Sequence, residues 1–290
     1  MRGFRTDLAM ESISGHGLRM EGVQVRTHHL NDITHTRIRI LNERAADLLG
    51  RKRGQYVTVE YPGLPRCDTA RRQVLSRLVA QAVRSMLPPQ GDVLVVGLGN
   101  RNVTADALGT RVVERMLVTR HLRQTVAGEL RGKLRGVSAI APGVLGLTGI
   151  ETAELCRGLV GHVRPTAVIA IDALAAYESE RICTTVQITD TGIEPGSGVG
   201  NCRSALDRET LGVPVIALGV PTVVEAATLV RDLLGRSDGP APLADRGRSL
   251  FVTPDSVDAK IRDLARVLGY GIDLALQPGL ALEDLTALLE

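Results

Sequence analysis

A chain of 290 residues that is 44% hydrophobic can bury a sizeable core, and with 2% aromatic residues and no Trp that core must be built from Val, Leu, Ile and Ala. Its 35 basic and 32 acidic residues leave a formal charge of +3, too weak a field to argue for direct nucleic-acid binding. Four widely spaced cysteines (Cys67, Cys156, Cys183, Cys202) without a C-x-x-C pair speak against a disulfide frame or a zinc site. The absence of a signal-peptide core or membrane-length apolar run makes a cytoplasmic protein with no membrane partner the expectation.

In chain order, residues 1–20 read as a polar, extended N-terminal arm. Residues 21–66 read as a β-rich addition, with alternating strands at Val23–Arg26 and Thr36–Ile40 and a third at Tyr56–Glu60. Between the last two lies a short helix from Glu43 to Leu49, closed by Gly50. Asp68 to Leu87 carries an apolar stripe at helical spacing and stops at Pro88-Pro89. Strands over 92–97, 137–141, 167–171, 184–188 and 213–218 then alternate with helices over 104–117, 150–162 and 222–235. Residues 236–250 read as a surface loop, and Thr253-Pro254 as the start of a last helix. The pattern predicts a single α/β domain over 1–290, with a mostly parallel sheet, helices on both faces and N-terminal β additions.

Chemistry in such a sheet collects at the carboxyl ends of its strands. Two acids are expected there. Asp106 follows the run Val93–Gly97 through Val103-Thr104-Ala105, and Asp172 follows Ala167–Ile171 directly. Taken alone, Asp106 reads as a first-turn helix residue behind a Thr104 cap, and Asp172 as an even choice between turn and site. If the two meet, unit charges about 4 Å apart at an effective dielectric near 20 repel by roughly 4 kcal/mol, or about three pKa units. One acid then holds a proton while the other stays ionised, the arrangement of a water-activating pair. The same pair offers two ligands to a divalent metal, and the residues alone do not choose between these options.

Gly97-Leu98-Gly99-Asn100 imitates a phosphate turn, but Asn102 stands where a third glycine would be needed. The glycine-rich segment 190–201 reads as a cleft wall whose backbone N–H groups suit a peptide or an oxyanion. His28, His29 and His35 read as exposed histidines near a turn. His121 is a lone candidate base for which a structural role is the better reading.

Several ordered blocks resemble the germination protease family of spore-forming bacteria. They are Arg5-Thr6-Asp7-Leu8-Ala9, Val96–Asn100, Thr119–Leu122, Ala141–Thr152, Ala170–Ala176, Asp190–Ile193 with Pro195–Asn201, and Thr210–Val224. The resemblance implies an endopeptidase that begins the degradation of small acid-soluble spore proteins at germination. It further implies a homotetramer made as a zymogen and acting in the cytoplasm of the spore core. It puts the catalytic pair on Asp106 and Asp172, and we add Asn100, Gly196, Ser197 and Gly198 as substrate-positioning residues. Two of these blocks also resemble hydrogenase-maturation peptidases, whose acids engage a metal, so no cofactor is fixed and a divalent metal on Asp106 and Asp172 stays open. A metal-dependent maturation peptidase and a nucleotide-binding module are the alternative readings. The family commonly has His where Glu194 stands. The first block begins at Arg5, so the chain is expected to be a mature form or a member without the usual latency. The 236–250 region is shorter than the insertion this resemblance implies.

Overall fold

A computed structural model describes residues 6–14, 20–64, 67–124, 134–200, 203–234 and 250–289. One sheet organises the chain. Its strands are β1 (Val23–Leu30), β2 (Ile33–Ile40), β3 (Gly54–Glu60), β4 (Val93–Gly97), β5 (Val137–Ile140), β6 (Ala167–Ala176), β7 (Thr185–Thr189), β8 (Val215–Glu225) and β9 (Phe251–Val252). The order across the sheet is β1-β2-β3-β7-β8-β6-β4-β5, with β9 on the far end of β8. The block β8-β6-β4-β5 is parallel. The N-terminal strands join it as an antiparallel extension through β7.

The parallel strands are buried on both faces, which is why they read as unbroken apolar runs. Val93, Val95, Ile169, Ile171, Ile216 and Leu218 face a core closed by helices α3 (Thr69–Met86), α4 (Leu108–Val113) and α9 (Val257–Leu276). Leu94, Val96, Val168, Ala170 and Val215 face the opposite way, against α6 (Thr152–Val163) and α7 (Arg208–Leu211). The α/β class with helices on both faces is therefore as expected. The remaining helices are α1 (Ala9–Ser14), α2 (Glu43–Leu49), α5 (Leu145–Thr148), α8 (Ala226–Leu234) and α10 (Leu282–Leu289). No helix among the described residues is long and apolar enough to cross a membrane.

Local signals set several boundaries. Asn42 caps α2 by accepting from the Ala45 N–H, and Gly50 closes the helix in the left-handed conformation. Asp68 caps α3 by accepting from the Arg71 N–H.

Other boundaries differ from the sequence expectation, each for a tertiary reason. The arm is not extended throughout: residues 9–14 form α1, whose Ala9 and Ile13 pack with Ile38, Ile40 and Tyr56. The predicted helix over 104–117 is a 3-10 turn at Thr104–Asp106 followed by α4, which has no side-chain cap. Strand β6 runs on through Asp172 to Ala176, and β8 runs through Pro221 to Glu225. The two strands pair over these extensions, with a bulge at Leu174/Ala175. Asp and Pro ordinarily argue against strand interior, and here sheet pairing overrides that preference. The last long helix starts at Val257, not at Thr253-Pro254. Of the predicted 236–250 loop, only Leu250 lies within the described residues.

Helix α4 lies so close to the sheet that only glycines fit between them. A Cβ on Gly109 would stand 2.3 Å from the Ile171 carbonyl oxygen, and one on Gly97 would stand 2.2 Å from the Gly109 carbonyl oxygen. We predict that Gly109→Ala lowers stability by about 1–3 kcal/mol through overpacking, measured by urea denaturation. Unchanged stability would show that α4 has room to lift.

Candidate active site

A cleft of about 480 Å³ opens where the parallel block of the sheet ends, and both Asp106 and Asp172 line it. Strand β4 pairs with β6 as far as Gly97 beside Ile171, and the Leu98 N–H continues the ladder by donating to the Ile171 carbonyl at 2.8 Å. The chain then turns at Gly99 with φ +100°. A Cβ there would lie 1.9 Å from the Asp106 carbonyl oxygen, so the glycine is required by close packing against Asp106. That accounts for the glycine pattern of the apparent phosphate turn without a phosphate.

Asp106 is fixed from two sides. Its Oδ2 accepts from the Asn100 N–H at 2.7 Å, and the Thr222 hydroxyl on β8 donates to the neighbouring Ala105 carbonyl at 2.6 Å. The carboxylate thus serves the loop after β4, not the first turn of α4 as a helix-start reading would have it. Burial raises its pKa, and the Asn100 N–H partly offsets the rise.

Asp172 sits in β6 opposite Gly219 of β8 and is only 6% exposed. Strand alternation puts it on the face of Val168 and Ala170, one rank beyond the helix-covered core. Its Oδ1 accepts from the Ala173 N–H at 2.9 Å. Burial pushes its pKa well above the usual carboxylate value. The charges of Asp106 and, less strongly, Asp7 push the same way, against the Ala173 hydrogen bond.

Asp7 is the residue that the sequence reading left in a polar arm. Its N–H donates to the Ala175 carbonyl at 3.0 Å, and its Oδ2 accepts from the Ala175 N–H at 2.9 Å. Its Oδ1 accepts from the Ser197 hydroxyl at 2.9 Å. The backbone around it is held by Gln187, which accepts from the Ala9 N–H and donates to the Asp7 carbonyl, and by Arg51, which donates to the Thr6 and Leu8 carbonyls. Glu11 adds a second anchor, accepting from the Tyr177 and Glu178 N–H groups. Burial raises the Asp7 pKa against the opposing pull of the Ala175 and Ser197 bonds and the Arg51 charge. The only sequence signal for this role was the Arg5–Ala9 block.

The other sequence candidates divide. Gly196, Ser197 and Gly198 line the cleft. Ser197 and Gly198 hold Asp7 there: a Cβ on Gly198 would lie 2.1 Å from the Asp7 Oδ2. Asn100 contributes its backbone, because its side-chain Oδ1 accepts from the Asn102 N–H instead of facing the cleft. Asn201 lies outside the described residues. Glu194 stands at the rim, with its Oε1 3.4 Å from the Lys52 Nζ, which also binds Asp207 at 2.7 Å. His121 is exposed and does not line the cleft, and His28, His29 and His35 are strand residues of β1 and β2. Cys67, Cys156 and Cys183 are free and buried, and burial pushes the thiols of Cys156 and Cys183 up to about 11, so neither is a poised nucleophile. Cys202 lies outside the described residues.

Among the described residues no three His, Cys, Asp or Glu side chains are grouped to hold a metal ion. Asp7, another acid of the cleft, has one oxygen committed to Ala175 and the other to Ser197.

Comparison with known proteins agrees with the resemblance. The family model described as germination protease matches residues 7–235. The germination protease of Caldanaerobacter subterraneus subsp. tengcongensis is 42% identical over 99% of this chain and 98% of its own length. That of Clostridium perfringens (strain ATCC 13124) is 40% identical over the full length of both. That of Bacillus cereus (strain ATCC 10987) is 39% identical over 94% of this chain and 93% of its own. Among solved structures, the [NiFe] hydrogenase maturation protease HycI from Thermococcus kodakarensis KOD1 aligns with a TM-score of 0.37 at 18% identity, over 66% of this chain and 97% of that one. The cleft at the strand ends therefore belongs to a peptidase, and the chain is a member of the germination protease family.

Proposed function

We propose that the chain is the endopeptidase that begins the breakdown of small acid-soluble spore proteins at germination, in the spore core, with a water activated between Asp106 and Asp172. The observation that carries this reading is the placement of the two acids. Both line one cleft, Asp172 within β6 just beyond its last pairing with β4 and Asp106 in the 3-10 turn that follows β4, and the charge of Asp106 raises the Asp172 pKa. Family membership supports a protein substrate.

The unequal environments assign the roles. Asp172 is the more deeply buried acid and has two acidic neighbours, so it holds the proton. Asp106, with the Asn100 N–H on its Oδ2, is the ionised partner. With a substrate peptide in the cleft, Asp106 takes a proton from water as the oxygen bonds to the carbonyl carbon. Asp172 hydrogen-bonds the carbonyl oxygen as it gains charge, and as the tetrahedral adduct collapses the C–N bond breaks and Asp106 passes the proton it took from water to the leaving amine. The zymogen and homotetramer implied by the resemblance belong to the same proposal.

Asp106→Asn and Asp172→Asn should each reduce cleavage of a purified small acid-soluble spore protein by at least about a hundredfold, with cooperative unfolding retained. Mass spectrometry of the fragments reads this, and near-full activity in either folded variant would remove the pair as catalysts.

A linked prediction concerns stability. A raised folded-state pKa means that the native state binds the Asp172 proton more tightly than the unfolded chain does. The stabilisation is complete below the unfolded value near 3.9 and is lost as pH rises through the folded value. Asp172→Asn removes that loss. Its melting temperature at pH 8 should exceed the parent's by about 2–4 °C or more, with the gap closing toward pH 4. An Asn variant less stable than the parent at pH 8 would contradict the assignment of the proton.

A further inference from the structure

Strands β1 and β2 carry a second feature that the peptidase cleft does not use. Their register sets Arg26 directly opposite Arg37 and His28 directly opposite His35. Like charges at directly opposed ladder positions repel, so the Arg26–Arg37 rank is unfavourable by itself, and the His28–His35 rank beside it adds no compensating acid. Gln24 and Arg39 form the next rank on the same face, and Arg39 already has a neutral partner in Gln55 at 3.3 Å.

This face does not open onto flat solvent. Leu78 and Gln81 of α3 stand over it and close a groove of about 390 Å³. Among the described residues no acidic side chain lines the groove, and no lining residue is shared with the peptidase cleft. Arg37 is half-buried, and its Nε is fully buried with no hydrogen-bond partner. A buried, unbonded guanidinium N–H is costly. The neighbouring acid Asp32 is engaged elsewhere, with Arg71 at 3.1 Å.

We propose that the groove between the β1–β2 hairpin and α3 binds a small multivalent oxyanion of the phosphate class, held by Arg37, Arg26 and the facing His28 and His35. One such anion would accept from the guanidiniums of Arg37 and Arg26 and turn a repulsive cross-strand pair into an attractive cluster. The volume suits a small molecule. His35 supplies a spectroscopic reporter. It is half-buried, and its pKa is lowered by burial and by the charges of Arg37 and His28. The charged and titratable groups on its face are Arg26, His28, Arg37 and Arg39, while α3 presents only Leu78 and Gln81. A bound anion reverses that lowering.

The test is a titration of the full chain with inorganic pyrophosphate at low ionic strength, with NaCl at matched ionic strength as the control for screening. Expected are a saturable rise in melting temperature and an upward move of the His35 imidazole titration by about one unit, followed by NMR. Arg37→Gln should abolish both, and Arg26→Gln, an exposed position, should weaken binding about tenfold. Removing a charge from a repulsive rank should not impair folding, and circular dichroism of each variant checks this. A response to pyrophosphate no larger than that to NaCl would overturn the proposal. So would an unchanged response in folded Arg37→Gln, or binding of short duplex DNA with none of pyrophosphate. None of these readouts depends on peptide cleavage, so their failure is separable from failure of the peptidase assignment.

Discussion

The fold of this chain turns on a carboxylic acid inside a strand. Asp172 is paired on one side with β8 and follows the last ladder contact with β4 on the other, so water is largely excluded from its side chain. An ionised carboxylate in that position, with a second acid nearby, is costly, and the cost is relieved by holding a proton. Much of the surrounding architecture keeps this arrangement in place. Gly99 lets the chain double back so that Asp106 lies over the end of β4, and Thr222 ties the returning loop to β8. Gly97 and Gly109 allow α4 to press the loop onto the sheet.

The N-terminal segment has an equally definite place. Asp7 bonds to the backbone of β6 three residues beyond Asp172, and Ser197, Gly198, Arg51 and Gln187 converge on it from separate elements. Its negative charge reaches Asp172 and adds to the pressure to stay protonated. The glycine-rich wall therefore has a structural duty that its composition alone did not suggest: it presents Ser197 to Asp7 and leaves room for that side chain at Gly198.

What could be read from the residues alone was what short-range physics decides. The span of α2 with its Gly50 end, the stripe of α3 and the apolar parallel strands follow from end signals and burial patterns that span a few residues. Misplaced elements were those fixed by distant partners. Strand β6 appeared to stop at Asp172 because Asp disfavours strands, yet pairing with Gly219 carries it on. Asp7 escaped notice because its partners Ala175 and Ser197 lie 168 and 190 residues away. Asn100 touches Asp106 through its backbone N–H, which residue identity does not reveal. The two acids were legible as residues following apolar strands, whereas the continuation of β6 past Asp172 and their unequal burial were not.

The central claim is that burial holds the Asp172 carboxyl well above the ordinary carboxylate range and that the Asp106 charge adds to the rise. Carbon-13 NMR titration of the aspartate carboxyls, in the parent and in Asp106→Asn, tests it directly. The account predicts an Asp172 signal that titrates well above the ordinary carboxylate range and moves down when the Asp106 charge is removed. An Asp172 that titrates at the ordinary value, or that ignores the loss of Asp106, would contradict it.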